Sequence, residues 1–123
     1  MADVAAAAFH EAMVRGSERL KREIGYNPIR FNQMVGELGG VNAAKALLSP
    51  TSRDASDGFT TLWNAGRLDA SAEAFALLPW FRHLFSDDEL ARAEHRLTEY
   101  GFSVERFLRD ASTRPPNWAV PDL

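Results

Sequence analysis

The chain of 123 residues contains no cysteine, which excludes a disulfide framework, a thiol nucleophile and any cysteine-ligated zinc site. Long hydrophobic runs are missing too. The longest uncharged apolar stretches, Ala5 to Phe9 and Ala74 to Trp80, fall far short of the roughly 20 residues that cross a bilayer, so no membrane partner is expected. Asp3 stands where a secretory signal would carry a basic region, and Glu11 and Arg15 soon interrupt the alanine run, so a cytoplasmic protein is the expectation. Charge of one sign is not in large excess: the formal net charge is −3, which supplies no global field toward nucleic acid while leaving room for a local basic face. Histidine is scarce. His10, His83 and His95 fall on three separate helical segments with no i, i+4 histidine pair, so neither a metal nor a cofactor is expected.

Catalytic signatures are equally thin. No G-x-S-x-G, P-loop or dinucleotide fingerprint occurs. Gly36-Glu37-Leu38-Gly39-Gly40 lacks the lysine and the preceding strand of a phosphate cradle and reads as a helix end. Asp87, Asp88 and Glu89 are explained by a helix amino terminus, which favours negative charge. The reading is therefore a protein without catalytic residues, with an enzyme of unknown type as the weakest alternative.

What is present describes one all-α domain, a bundle of six to eight short helices over residues 1–111, followed by a Pro-rich tail over 112–123. A hydrophobic fraction of 46% with 25% charged residues suits a single small globule. From Val4 to Ile24, Ala5, Phe9, Ala12, Met13, Leu20 and Ile24 recur at helical spacing. Glu11 with Arg15, Glu18 with Arg22 and Arg19 with Glu23 stand four apart on the other face, and Gly25 ends the helix. Asn27-Pro28 predicts a second start, with Asn27 as cap and Phe31, Met34, Val35 and Leu38 inward. Gly39-Gly40 would end that helix and Asn42 open a third, over 43–48. Thr51 to Ala55 reads as a loop and Ser56-Asp57-Gly58 as the return to order, with Phe59, Leu62 and Trp63 on an inner face. Asp69 or Ser71 caps a helix broken at Pro79, and Ser86 with Glu89 forms a capping box before Leu90, Ala93, Leu97 and Tyr100. Ser103 caps the last helix, and Trp118 gives the tail something to dock with.

Two sets of residues stand out as candidates for recognition. Six aromatic residues, Phe59, Trp63, Phe75, Trp80, Phe81 and Phe85, crowd positions 59 to 85, too many for a small core to bury completely. Trp80, Arg82 and Trp118 are of the types enriched at protein interfaces. Arg67 joins them, and it and Arg82 each either pair with a buried carboxylate such as Asp69 or Glu73 or face a partner. A protein partner is thus expected, and a homodimer is compatible with the aromatic surplus. The alternative is a small DNA-binding regulator: Arg15, Arg19, Arg22 and Arg30 gather in the first quarter, and the segment from Pro28 to Leu48 loosely follows a helix-turn-helix.

The run Gly25-Tyr26-Asn27-Pro28, Phe31-Asn32-Gln33-Met34, Glu37-Leu38-Gly39-Gly40-Val41, Ser56-Asp57-Gly58-Phe59-Thr60, Leu62-Trp63, Gly66-Arg67-Leu68-Asp69, Phe81-Arg82, Leu84-Phe85 and Tyr100-Gly101-Phe102 resembles a small, widespread, uncharacterised bacterial all-α domain. The resemblance covers about Gly25 to Phe102. It implies a stand-alone copy of an accessory or interaction module, of a kind sometimes associated with bacterial defence or DNA processing. It assigns no catalytic or ligand residue.

Overall fold

The computed structural model describes residues 3–49 and 54–119. Seven α-helices and no strand occur among the described residues: α1 (Val4–Ile24), α2 (Ile29–Leu38), α3 (Gly40–Leu47), α4 (Asp54–Asn64), α5 (Ala72–Ala76), α6 (Asp87–Glu99) and α7 (Val104–Ser112). Short 3₁₀ turns at Leu68–Ala70, Arg82–Leu84 and Asn117–Ala119 complete the chain path.

The first helix follows from its pattern. Ala5, Phe9, Met13 and Leu20 are buried on one face. The Asp3 carboxylate accepts the Ala5 N–H at 2.9 Å, and Gly25, at φ +69°, turns the chain out of the helix, a conformation that costs a glycine little. Phe9 is fully buried and meets Phe81 and Phe85 edge-on at 5.1 and 5.3 Å between ring centroids, the geometry that aromatic quadrupoles favour. This contact ties the amino-terminal helix to the segment before α6.

Helix α3 is fixed at both ends. At its start, the Gly40 N–H donates to His10 Nδ1 at 2.9 Å, so a side chain of α1 satisfies one of the amides a helix leaves unpaired. The backbones come so close that a Cβ at position 40 would lie 2.5 Å from the His10 Cα. At its end, the last carbonyls accept from α6: Arg96 Nη1 reaches Leu47 O at 2.7 Å and Arg92 Nη1 reaches Leu48 O at 2.8 Å. Lys45 adds an ion pair to Glu89 at 2.8 Å. Glu89 in turn accepts the Ser86 N–H at 2.8 Å while Ser86 Oγ accepts the Glu89 N–H at 3.2 Å, so the capping box read from the sequence is also the anchor of this bridge. Partial burial pushes the Glu89 carboxyl up, but its hydrogen bonds from Lys45 and Ser86 outweigh that and hold it below the usual range.

Several local expectations are corrected. Asn27 does not cap α2: Pro28 occupies the N-cap position without a side-chain hydrogen bond, and Asn27 Oδ1 accepts from Asn32 Nδ2 at 3.3 Å instead. Gly40 is not a terminator and Asn42 does not open α3, because the His10 contact lets the helix begin at Gly40. Only Gly39, at φ +87°, separates α2 from α3. Leu38 is exposed, and so is Trp63, at 47%, lying edge-on to Tyr100 at 5.4 Å rather than in the core. Of the loop expected over Thr51 to Ala55, residues 51–53 lie outside the described residues. Asp54 and Ala55 are already helical, so order returns before Ser56.

The His10 contact generates a paired prediction. Gly40→Ala would place a methyl group against backbone that no rotamer change can move, and is expected to destabilise by about 1–3 kcal/mol, as overpacking does. Gly16→Ala, in the interior of α1 where a Cβ meets nothing within 4 Å, is expected to stabilise by about 0.5–1 kcal/mol through helix propensity. Urea midpoints of the two variants against wild type check both signs.

Candidate functional site

Small residues on several elements face one another. Ala12 and Gly16 lie one turn apart on α1, Gly58 is on α4, and Ala70 and Ala72 flank the start of α5. With so little side chain there, the larger neighbours Met13, Leu20, Phe31, Met34, Phe59 and Phe75 enclose a cavity of about 450 Å³ instead of closing it. The cavity is half open to solvent, and its volume falls within the range of small-molecule sites. Ile29, 61% exposed, and the exposed Arg30 also line it, which puts its mouth at the amino-terminal end of α2. Ser17 Oγ donates to Asn32 Oδ1 at 2.7 Å, bridging α1 and α2 beside that mouth. The Tyr26 hydroxyl lies so near Gly58 that a Cβ there would be 3.1 Å from it.

One carboxylate belongs to this wall. Glu73 lines the cavity and is only 3% exposed. Its position is set by Ser71, whose Oγ accepts the Ala74 N–H at 3.1 Å and donates to Leu68 O at 2.6 Å, fixing the first turn of α5. Arg96 Nη1 approaches Glu73 Oε2 at 3.4 Å. Burial pushes the Glu73 carboxyl above its ordinary value, opposed by its own backbone N–H and by Arg96.

The expected recognition residues do not converge on one place. Trp80 and Trp118 come together around Phe81, at 6.4 and 5.8 Å between centroids, so the tail docks through Trp118, which is still 40% exposed. Pro79, Ser112, Pro115 and Ala119 complete a shallow groove beside Trp80. Arg82 follows on the chain and donates from Nη1 to Leu77 O at 3.3 Å. Arg67 is elsewhere. Its Nη1 lies 3.2 Å from Glu23 Oε2 and its Nε 3.5 Å from Asp69 Oδ1, so it ties the end of α1 to the turn after α4. Of its two expected partners only Asp69 is found, and the buried Glu73 belongs to Arg96.

The arginines proposed for nucleic acid are also dispersed in role. Arg15 pairs with Glu11 at 2.7 Å, as the i, i+4 spacing predicts. Glu23 turns to Arg67, so the expected Arg19–Glu23 pair is not formed, and Arg19 and Arg22 stay exposed on α1. Arg30 is at the cavity mouth. In the helix-turn-helix-like segment, α3 buries Gly40, Ala43 and Ala44 and gives its last carbonyls to α6. Among the described residues, no group of three or more metal-ligating side chains gathers, and no helix is long and apolar enough to cross a membrane.

From the sequence, Glu73 stands out only as a carboxylate for Arg67 or Arg82, and nothing singles out the cavity. The signals were present but weak: a glycine in the middle of α1, and an acidic residue inside the apolar run Ala72 to Leu78.

Burial of Glu73 sets a pH dependence. The folded state holds this proton more tightly than the unfolded chain, whose ordinary value is 4.5. The Glu73 contribution to stability is therefore greatest below that value and is lost as pH rises through the raised one. Glu73→Gln removes the buried charge while Arg96 keeps its bond to Leu47 O. The variant is expected to be at least as stable as wild type at pH 7 and to show a flatter stability profile above pH 4.5. Thermal melts across that range check it; an unchanged slope with a large loss at pH 7 contradicts the assignment.

No protein-family model, curated protein or solved structure matches this chain.

Proposed function

We propose that this chain is a non-catalytic recognition module whose binding site is the cavity enclosed by α1, α2, α4 and α5. The observation that carries the reading is the cavity of about 450 Å³, walled mainly by apolar side chains. The polar side chains of its wall are Ser17, Tyr26, Arg30 and Glu73; Ser17 donates to Asn32, and Arg96 engages Glu73. The resemblance noted in the sequence agrees with an accessory role, within bacterial defence or DNA processing.

A second reading places a protein partner on the groove beside Trp80 and Trp118. It is favoured by the half-buried Trp80 and two prolines that line the groove, with the exposed Trp118 in contact with the neighbouring Phe81. It requires no change in the cavity, and the two sites can serve one module.

The test of the first reading is a titration with N-phenyl-1-naphthylamine, a neutral apolar fluorophore. Saturable enhancement at one site per chain is expected, and Gly16→Leu, which directs a side chain into open space, is expected to abolish it while leaving the fold intact. Absence of saturable binding, or binding indifferent to Gly16→Leu, would overturn the reading.

A further inference from the structure

We propose that the cavity receives a small cationic molecule, an apolar body carrying an amine or amidine head group, and that Glu73 is the residue that receives the head group. The inference rests on the cavity being a recognition site and adds the chemistry of its occupant.

The geometry of Arg96 is the starting point. Its Nη1 stands 2.7 Å from Leu47 O but 3.4 Å from Glu73 Oε2. Charge-assisted hydrogen bonds between guanidinium and carboxylate close to about 2.7–2.9 Å, so this guanidinium serves the α3 carbonyl first and the carboxylate only loosely. Glu73 is nevertheless buried, with 4% of its side chain exposed, where an ionised carboxylate is costly unless it is well paired. The fold therefore keeps a carboxylate in the cavity wall whose cationic partner stands at 3.4 Å and is shared with the α3 carbonyl. Burial pushes its pKa up, opposed by its own backbone N–H and by Arg96.

The rest of the lining fixes what accompanies the head group. Apart from Glu73, the polar side chains of the wall are Ser17, Tyr26 and Arg30, and Arg30 is exposed at the mouth. The buried charged side chain of the wall is Glu73, whose charge acts across a lower dielectric than one in water, so it governs the inner end of a ligand. Met13, Leu20, Phe31, Met34 and Phe59 supply apolar and aromatic surface for the body. An anionic ligand of the same shape is disfavoured by like charge, which gives the site selectivity as well as affinity.

Three probes of nearly one shape separate the terms: benzamidine, benzamide and benzoate, titrated at pH 7 and followed by amide chemical shifts of the full chain. Benzamidine is expected to perturb Leu20, Met34, Phe59 and Glu73, and to bind at least about tenfold tighter than benzoate, with benzamide between them. Glu73→Gln is expected to weaken benzamidine by about tenfold while leaving benzamide within about threefold. Gly16→Leu, which leaves Glu73 in place, is expected to remove all cavity shifts. Benzoate binding as tightly as benzamidine, no effect of Glu73→Gln, or shifts confined to Asp87 and Asp88 on α6 would overturn the proposal. Should Glu73→Gln fail to fold, the order of the three probes on wild type and their loss in Gly16→Leu decide it. If N-phenyl-1-naphthylamine binds but benzamidine has no advantage, the head-group assignment alone fails; if neither binds, the cavity fails as a recognition site.

Discussion

The architecture depends on holding one short helix at both ends. Helix α3 spans eight residues, too few to persist by its own hydrogen bonds in water, and it buries Gly40, Ala43 and Ala44, which offer little apolar area. Its order comes from neighbours: His10 accepts its first amide, and Arg92 and Arg96 donate to its last carbonyls. These contacts link α1 and α6, far apart in sequence, through α3. The small residues are what permit it, since any side chain at position 40 would push α1 away.

The cavity follows from the same arrangement. Helix α2 leaves α3 through Gly39 alone and is joined to α1 by the Ser17–Asn32 hydrogen bond. The α1 surface beneath it carries Ala12 and Gly16, so the span between the helices is left unfilled while α4 and the start of α5 close the other sides. Arg96 connects frame and cavity, because one nitrogen holds the end of α3 and stands near Glu73. A polar tie in the frame thus determines the electrostatics of the cavity wall. The groove beside Trp80 is built from other elements, the Pro79 break and the tail.

Much of this fold was legible in the sequence because it is local. Helix α1 has the expected bounds, Ser71, Ser86 and Ser103 cap the helices they precede, and Leu90, Ala93 and Leu97 are buried at helical spacing. Local departures are few, Asn27 yielding the N-cap position of α2 to Pro28, and the larger ones are tertiary. Gly40 reads as a helix end until α1 is seen pressing against it. Trp63 and Leu38 sit at apolar positions of their helices but find no core to enter and stay exposed. Arg67 was expected near a carboxylate and is found between two, yet one of them, Glu23, lies 44 positions away in sequence. Position along the chain did not show that Glu73 would belong to Arg96, or that small residues from three helices would face one another.

The central claim is that a frame pinned through α3 maintains an accessible apolar cavity. Xenon tests it most directly, because it occupies apolar cavities without hydrogen bonds or charge. With dissolved xenon at increasing pressure, the account predicts a saturable ¹²⁹Xe shift together with amide perturbations at Leu20, Met34 and Leu62. A shift that only rises linearly with pressure, with those amides unmoved, would contradict it.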